Sequence, residues 1–197
     1  MKKRRFLTSS MAMLFGAGTL PSVGSLAATS GQREELVILT VTGAIDNTNR
    51  GKSDDVLDQL MHAHGVHFDR AFELTLSALL KLPAVSISPT MEYDGKIHQL
   101  TGPRLLNVLD LVGIKKANPT KIIFHGIDGY SPEFSFDLVK KYDFVVATHI
   151  DGKLLSMGGF GPLFALYDAD RIPEIMQKPL AQRFSGCAWG LYCVVVA

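Results

Sequence analysis

The chain has 197 residues, with 20 Lys and Arg against 19 Asp and Glu, 47% hydrophobic residues and two cysteines. That length fits a single domain with a proper core. The near-neutral charge lacks the basic stripe a nucleic-acid-binding surface needs, which excludes that class of partner.

Residues 1–27 have the pattern of an export signal. Lys2, Lys3, Arg4 and Arg5 form a basic start, residues 11–17 a short apolar region, and Ser25, Leu26 and Ala27 a small-residue cleavage site. Cleavage near Ala27 makes the protein periplasmic or secreted, with 28–197 as one domain. The apolar part falls short of the roughly 20 apolar residues a membrane span requires, and no other run is long enough for a membrane helix. The paired arginines fit folded export as well as ordinary secretion. Removing the four basic residues of the leader leaves 16 against 19 acidic ones, a net −3.

Residues 36–42 read as a first strand ending at Gly43. Ser53 is placed to cap a helix whose apolar face is Val56, Leu57, Leu60 and Met61, stopped by Gly65. His62, His64 and His67 crowd its end. Three imidazoles can hold a metal, but a helix followed by a glycine break need not make them converge, and the helix dipole favours histidine there anyway. A metal-binding protein using these three histidines is a third, weaker reading, and no metal ligand is assigned.

Residues 68–74 read as extended, and Thr75 caps a helix over 76–82 stopped by Pro83. Residues 85–88 and 96–100 read as strands around an Asp94-Gly95 turn. Gly102-Pro103 opens a helix with proline in its first turn and Leu105, Leu106, Leu109 and Val112 on its apolar face, ended by Gly113. A buried strand over 122–124, a turn at Asp128-Gly129 and a short helix over 137–142 follow. Residues 144–147 and 163–167 read as strands around a hairpin turn at Asp151-Gly152 and a dense loop with Gly158, Gly159, Gly161 and Pro162. The loop is either a tight connection or a backbone wall beside a ligand, and its spacing matches no phosphate loop. Arg183 and Phe184 lead into a last strand that carries Trp189. Cys187 and Cys193 on one extended strand stand roughly 20 Å apart, too far to bridge without a bend at Gly190. Two buried, reduced thiols are expected. The total is a strand-rich α+β domain of seven to nine strands with three or four short helices.

Of reaction signatures there is little. No Gly-x-Ser-x-Gly elbow, no Cys-x-x-Cys and no zinc spacing occurs. Glu92, Asp94 and Asp128 sit at turns, where acids serve geometry.

The order of motifs says more. The helix ending Leu82-Pro83, the segment 100–109 with Gly113, the strand and Asp-Gly-Tyr turn over 124–130, the Asp-Gly to Gly-Pro-Leu segment over 147–166, and 183–189 before the final strand together resemble the sulfite-oxidase-type molybdopterin-binding domain, over roughly 68–196. The resemblance implies that fold, a mixed-sheet α+β domain, and an oxidoreductase pocket for a molybdopterin-type cofactor. It places Thr90, Glu92, Arg104, Tyr130, Gly158, Gly159 and Arg183 on the pocket. Arg104 has a plain alternative as a solvated first-turn residue, Arg183 as the partner of Asp168 or Asp170, and Tyr130 as core packing. Two departures oppose the cofactor. The family's cysteine ligand is absent where Ser88, Pro89, Thr90 and Met91 stand, and a hydroxyl replaces a soft thiolate poorly. Phe164 stands where an arginine would steady an anionic phosphate. The competing reading is a non-catalytic module binding a small molecule or a protein partner.

Overall fold

The computed structural model describes residues 35–114 and 119–197, so the expected leader at 1–27 lies outside the described residues. In chain order the elements are β1 (Val37–Gly43), α1 (Gln59–Ala63), β2 (Ala71–Thr75), α2 (Leu76–Leu80), β3 (Ala84–Ile87), β4 (Leu100–Pro103), α3 (Leu105–Val112), β5 (Lys121–Gly126), β6 (Glu133–Ser135), α4 (Phe136–Tyr142), β7 (Val145–Ala147), β8 (His149–Ile150), β9 (Lys153–Leu154), β10 (Phe164–Leu166), α5 (Pro173–Met176), β11 (Ala188–Trp189) and β12 (Leu191–Val196). The class is the expected α+β. Among the described residues strands outnumber the expectation because several are two- or three-residue pieces, and the helices number five rather than three or four.

Three sheets form. The largest has the order β2-β1-β12-β5-β6, the second β3-β4-β8-β9 and the third β11-β10-β7. In the first, β1 and β12 run parallel, with Thr40 opposite Cys193 and Gly43 opposite Val196. Alternation along β12 serves two apolar layers. Val194 and Val196 enter the main core, whereas Cys193 and Val195 join a small cluster with Met61, Val66, Phe68 and Ala71. The two thiols, both free and buried, therefore lie in different clusters, with Cys187 in the main core.

Local signals set several elements as the sequence implies. The Thr75 hydroxyl accepts from the Ala78 N–H at the start of α2. Leu105, Val108, Leu109 and Val112 of α3 are fully buried, each worth roughly 1.5–3 kcal/mol, and Gly113 closes that helix in the left-handed region. Asp151 and Gly152 both carry positive φ between β8 and β9, the conformation a tight hairpin needs.

Three expectations are corrected. The first helix is only α1, with Asp58 rather than Ser53 at its N-cap position and no side-chain cap, and Asp54 organises the turn before it, its carboxylate accepting from the Val56 and Leu57 N–H groups. Ser53 turns inward to Phe68 instead. Of the expected apolar face only Met61 is buried, while Val56, Leu57 and Leu60 are exposed, because α1 touches the core by one side of a single turn. The return strand runs through Gly102 and Pro103, which pair with Val85 and Ala84, so proline precedes α3 rather than opening it. Finally, the last strand is broken at Gly190 into β11 and β12, each paired to a different sheet.

The joint between the second and third sheets positions the site. A Cβ on Gly102 would fall 2.0 Å from the Val146 carbonyl oxygen, so β4 lies directly against the backbone of β7. The Thr148 N–H donates to the Thr101 carbonyl at 2.9 Å. From that joint β7 passes to β10, and Phe164 of β10 lies opposite both Ala147 and Trp189.

Candidate functional site: an aromatic cleft

Where the loop after β3, the glycine loop and the turn at Gly190 meet, a cleft of about 510 Å³ opens, lined by Tyr93, Ile127, Gly158, Gly159, Phe160 and Trp189. Three of the six lining residues are aromatic, and two of these rings touch. Tyr93 and Phe160 stand 5.3 Å apart between centroids, and Phe160 stacks on Phe164 at 5.4 Å with only 14° between planes. Such contacts add about 0.5–1.5 kcal/mol each beyond the area buried.

Gly190 holds these parts together. Its N–H donates to the Phe160 carbonyl and its own carbonyl accepts from the Ile127 N–H. Its φ is +59, and a Cβ there would come within 2.6 Å of Ile127 Cγ1. Only glycine fits both demands. The glycine loop is closed on itself by the Ser156 carbonyl, which accepts from the Gly159 and Gly161 N–H groups at 3.0 Å each.

The residues assigned by resemblance divide into three groups. Gly158 and Gly159 line the cleft. Glu92 flanks it, close enough to Tyr93 that burial and then the Glu92 charge raise the phenol above its ordinary value, keeping it neutral. Tyr130 stands near by, its hydroxyl donating to the Ser185 carbonyl. Burial and the neighbouring Cys187 raise its phenol likewise.

Thr90 and Arg183 are brought together by a third residue. The Thr90 N–H donates to one Asp170 oxygen at 2.6 Å, and Arg183 Nη1 donates to the other at 3.0 Å. Arg183 also donates to the Met176 and Lys178 carbonyls, so its guanidinium is committed to holding the loops. The Asp170 pairing is one of the two alternatives open from sequence. The other acid, Asp168, keeps one buried oxygen without a hydrogen-bond partner. Arg104 does not join the cleft. Its Nε donates to both oxygens of Asp143 at 2.9 Å, on the solvent side of the α3 start.

Sequence reasoning missed Tyr93, Ile127, Phe160 and Trp189, because an aromatic residue between apolar neighbours reads as core. The available signal was the position of the rings: each lies within two residues of a turn glycine, Gly95, Gly159 or Gly190.

These residues do not fit a molybdopterin-type cofactor. Thr90, Met91 and Glu92 supply no thiolate. Cys187 is the nearby thiol, but burial pushes it up to about 12, so it is held protonated. Among the described residues the lining includes no Lys or Arg, and the two arginines assigned from sequence are bound to Asp143 and Asp170. An anionic pterin phosphate finds no cation among the described lining residues.

No family model matches the chain, and no curated protein matches it in sequence. Among solved structures the chain is similar to the sulfane dehydrogenase SoxCD of Paracoccus pantotrophus, with a TM-score of 0.52 over 80% of this chain at 11% identity. The match covers 37% of that protein's chain, so this chain spans little more than a third of its length. At that identity the likeness is one of fold, and the fold is the strand-rich α+β type expected. Among the described residues no helix is long and apolar enough to cross a membrane.

Proposed function

We propose that the protein is a non-catalytic binding module whose aromatic cleft takes a small, flat, uncharged molecule. The observation that carries this is the wall of Tyr93, Phe160 and Trp189 rings over about 510 Å³, within the usual range for small-molecule sites. Rings and a glycine backbone favour a planar ligand by stacking and close approach. The absence of Lys and Arg from the lining disfavours an anion. The leader read in residues 1–27 would deliver the module to the periplasm. The second reading, an oxidoreductase with a molybdopterin-type cofactor, has the fold likeness to a dehydrogenase in its favour and the chemistry of the cleft against it.

Trp189 is the one tryptophan of the chain, so its emission reports on the cleft alone. Titration with the neutral aryl dye N-phenylnaphthylamine is expected to give saturable energy transfer from Trp189. Tyr93→Ala and Phe160→Ala should each weaken binding by about tenfold, the loss of a stacked ring and its area. Transfer that does not saturate, or that both variants leave unchanged, would overturn the proposal.

A further inference from the structure

A second constellation lies away from the cleft, beside α1. Asp55 Oδ1 stands 3.6 Å from His67 Nδ1 and 3.9 Å from His62 Nδ1. The three side chains present donor atoms that all lie within 4.8 Å of one another. Neither imidazole is hydrogen-bonded to the carboxylate, since both separations exceed hydrogen-bond length. They stand a few tenths of an ångström beyond what a shared ion would impose, a gap that small rotations of the exposed side chains would close. With metal–ligand bonds of about 2.0–2.1 Å in a tetrahedron, neighbouring ligand atoms stand about 3.4 Å apart. The two imidazoles are set edge to face, 5.6 Å between centroids and 82° between planes.

The backbone beneath is tied down although the side chains are exposed. The Ser53 N–H donates to the Phe68 carbonyl at 2.9 Å, and the Phe68 N–H returns to Ser53 Oγ at 3.2 Å. That double link holds the segment before Asp55 against the segment after His67. Gln59 Nε2 donates to the Asp55 carbonyl at 2.9 Å, and Asp54 closes the turn that follows. The chain reverses at Gly65, whose N–H donates to the His62 carbonyl, and so brings His67 back alongside His62. Of the three imidazoles conspicuous in sequence, His64 is the one that faces elsewhere: its Nδ1 is bonded to the Tyr192 hydroxyl at 2.9 Å.

We propose that Asp55, His62 and His67 form a binding site for a divalent transition ion of the zinc class. Two imidazoles and one carboxylate suit zinc or copper(II), whereas calcium and magnesium favour oxygen ligands throughout. Three protein ligands leave a coordination position open for water or a further ligand. Asp55 and His67 also line a depression of about 330 Å³ with Lys52, Ser53, Phe68 and Asp69, which gives solvent access to that side. Nothing in this site depends on what the aromatic cleft binds.

The test uses the untagged full chain, stripped with a chelator and titrated at neutral pH with zinc ion by calorimetry. Cobalt(II) absorption serves as a second probe of ligand geometry. One equivalent is expected. Asp55→Asn, His62→Ala and His67→Ala should each weaken binding by at least about tenfold, the range seen even for residues one step further from a metal. His64→Ala should leave it unchanged. These side chains are more than half exposed, so the variants should keep the fold, which circular dichroism checks. No saturable uptake, uptake that survives loss of His62 or His67, or uptake abolished by His64→Ala would overturn the proposal.

Discussion

His98 ties two turns together through its two ring nitrogens. Nδ1 faces Asp151 Oδ2 at 2.7 Å and Nε2 faces Asp94 Oδ2 at 3.0 Å. Asp151 and then Asp94 raise its pKa above the ordinary imidazole value, and both carboxyls are lowered chiefly by His98 in return. The proton on His98 thus contributes stability that is complete below the ordinary imidazole value and is lost as pH rises through the raised folded value. Acidification removes the link from the other side, as the two carboxylates protonate. Proton NMR should find His98 titrating above about 6.5, with exchange protection of the Gln99 amide, which donates to Asp151, falling over the same pH interval. His98 titrating at or below the ordinary value would contradict this. The cysteines behave oppositely, as groups withheld from chemistry. Burial pushes Cys187 and Cys193 each up to about 12. An aromatic disulfide reagent should leave both untouched in the native protein and label two thiols per chain in denaturant. Rapid labelling of Cys187 in the native chain would place a reactive thiolate beside the cleft after all.

At the scale of elements, the break at Gly190 is what makes the cleft. It lets β11 pair with β10 while β12 joins the large sheet, and it fastens Phe160 to Ile127. Gly190→Ala combines a left-handed φ with a collision against Ile127 and should cost about 1–3 kcal/mol. Chemical denaturation would measure it, and the Trp189 emission should shift with it. An unchanged midpoint would show that the turn is not under this constraint. What was legible in the sequence follows the same division. The Thr75 cap, the Gly113 stop and the Asp151-Gly152 turn are decided within a few residues, and all three are read correctly. Pro103 reads locally as a helix start because its partner Ala84 lies on another strand, and only the pairing of β3 with β4 places it in a strand. The Val56, Leu57 and Leu60 pattern promised a buried helix face, but α1 is too short to turn that face inward. For the site, the density of glycines pointed to Gly158 and Gly159. The rings of Tyr93, Phe160 and Trp189 come from three distant segments, and no local pattern joins them. Arg104 was drawn in by motif order, while Asp143, which holds it outward, lies 39 positions away.

At the scale of the whole molecule, a fold similar to that of a sulfane dehydrogenase carries a cleft without the groups that a metal-bound pterin would need. A shared fold does not by itself carry a shared function. The thiolate is missing, the nearby thiol is protonated, and the arginines serve as struts between loops. What remains is a ring-lined wall beside a glycine backbone, the feature on which the proposed binding of a flat, uncharged ligand rests. The most direct measurement is elemental mass spectrometry of the protein purified from cells that make molybdopterin, paired with pterin fluorescence after acid oxidation. The binding-module account predicts neither molybdenum nor pterin above background. Molybdenum and pterin together near one per chain would contradict it and restore the oxidoreductase reading.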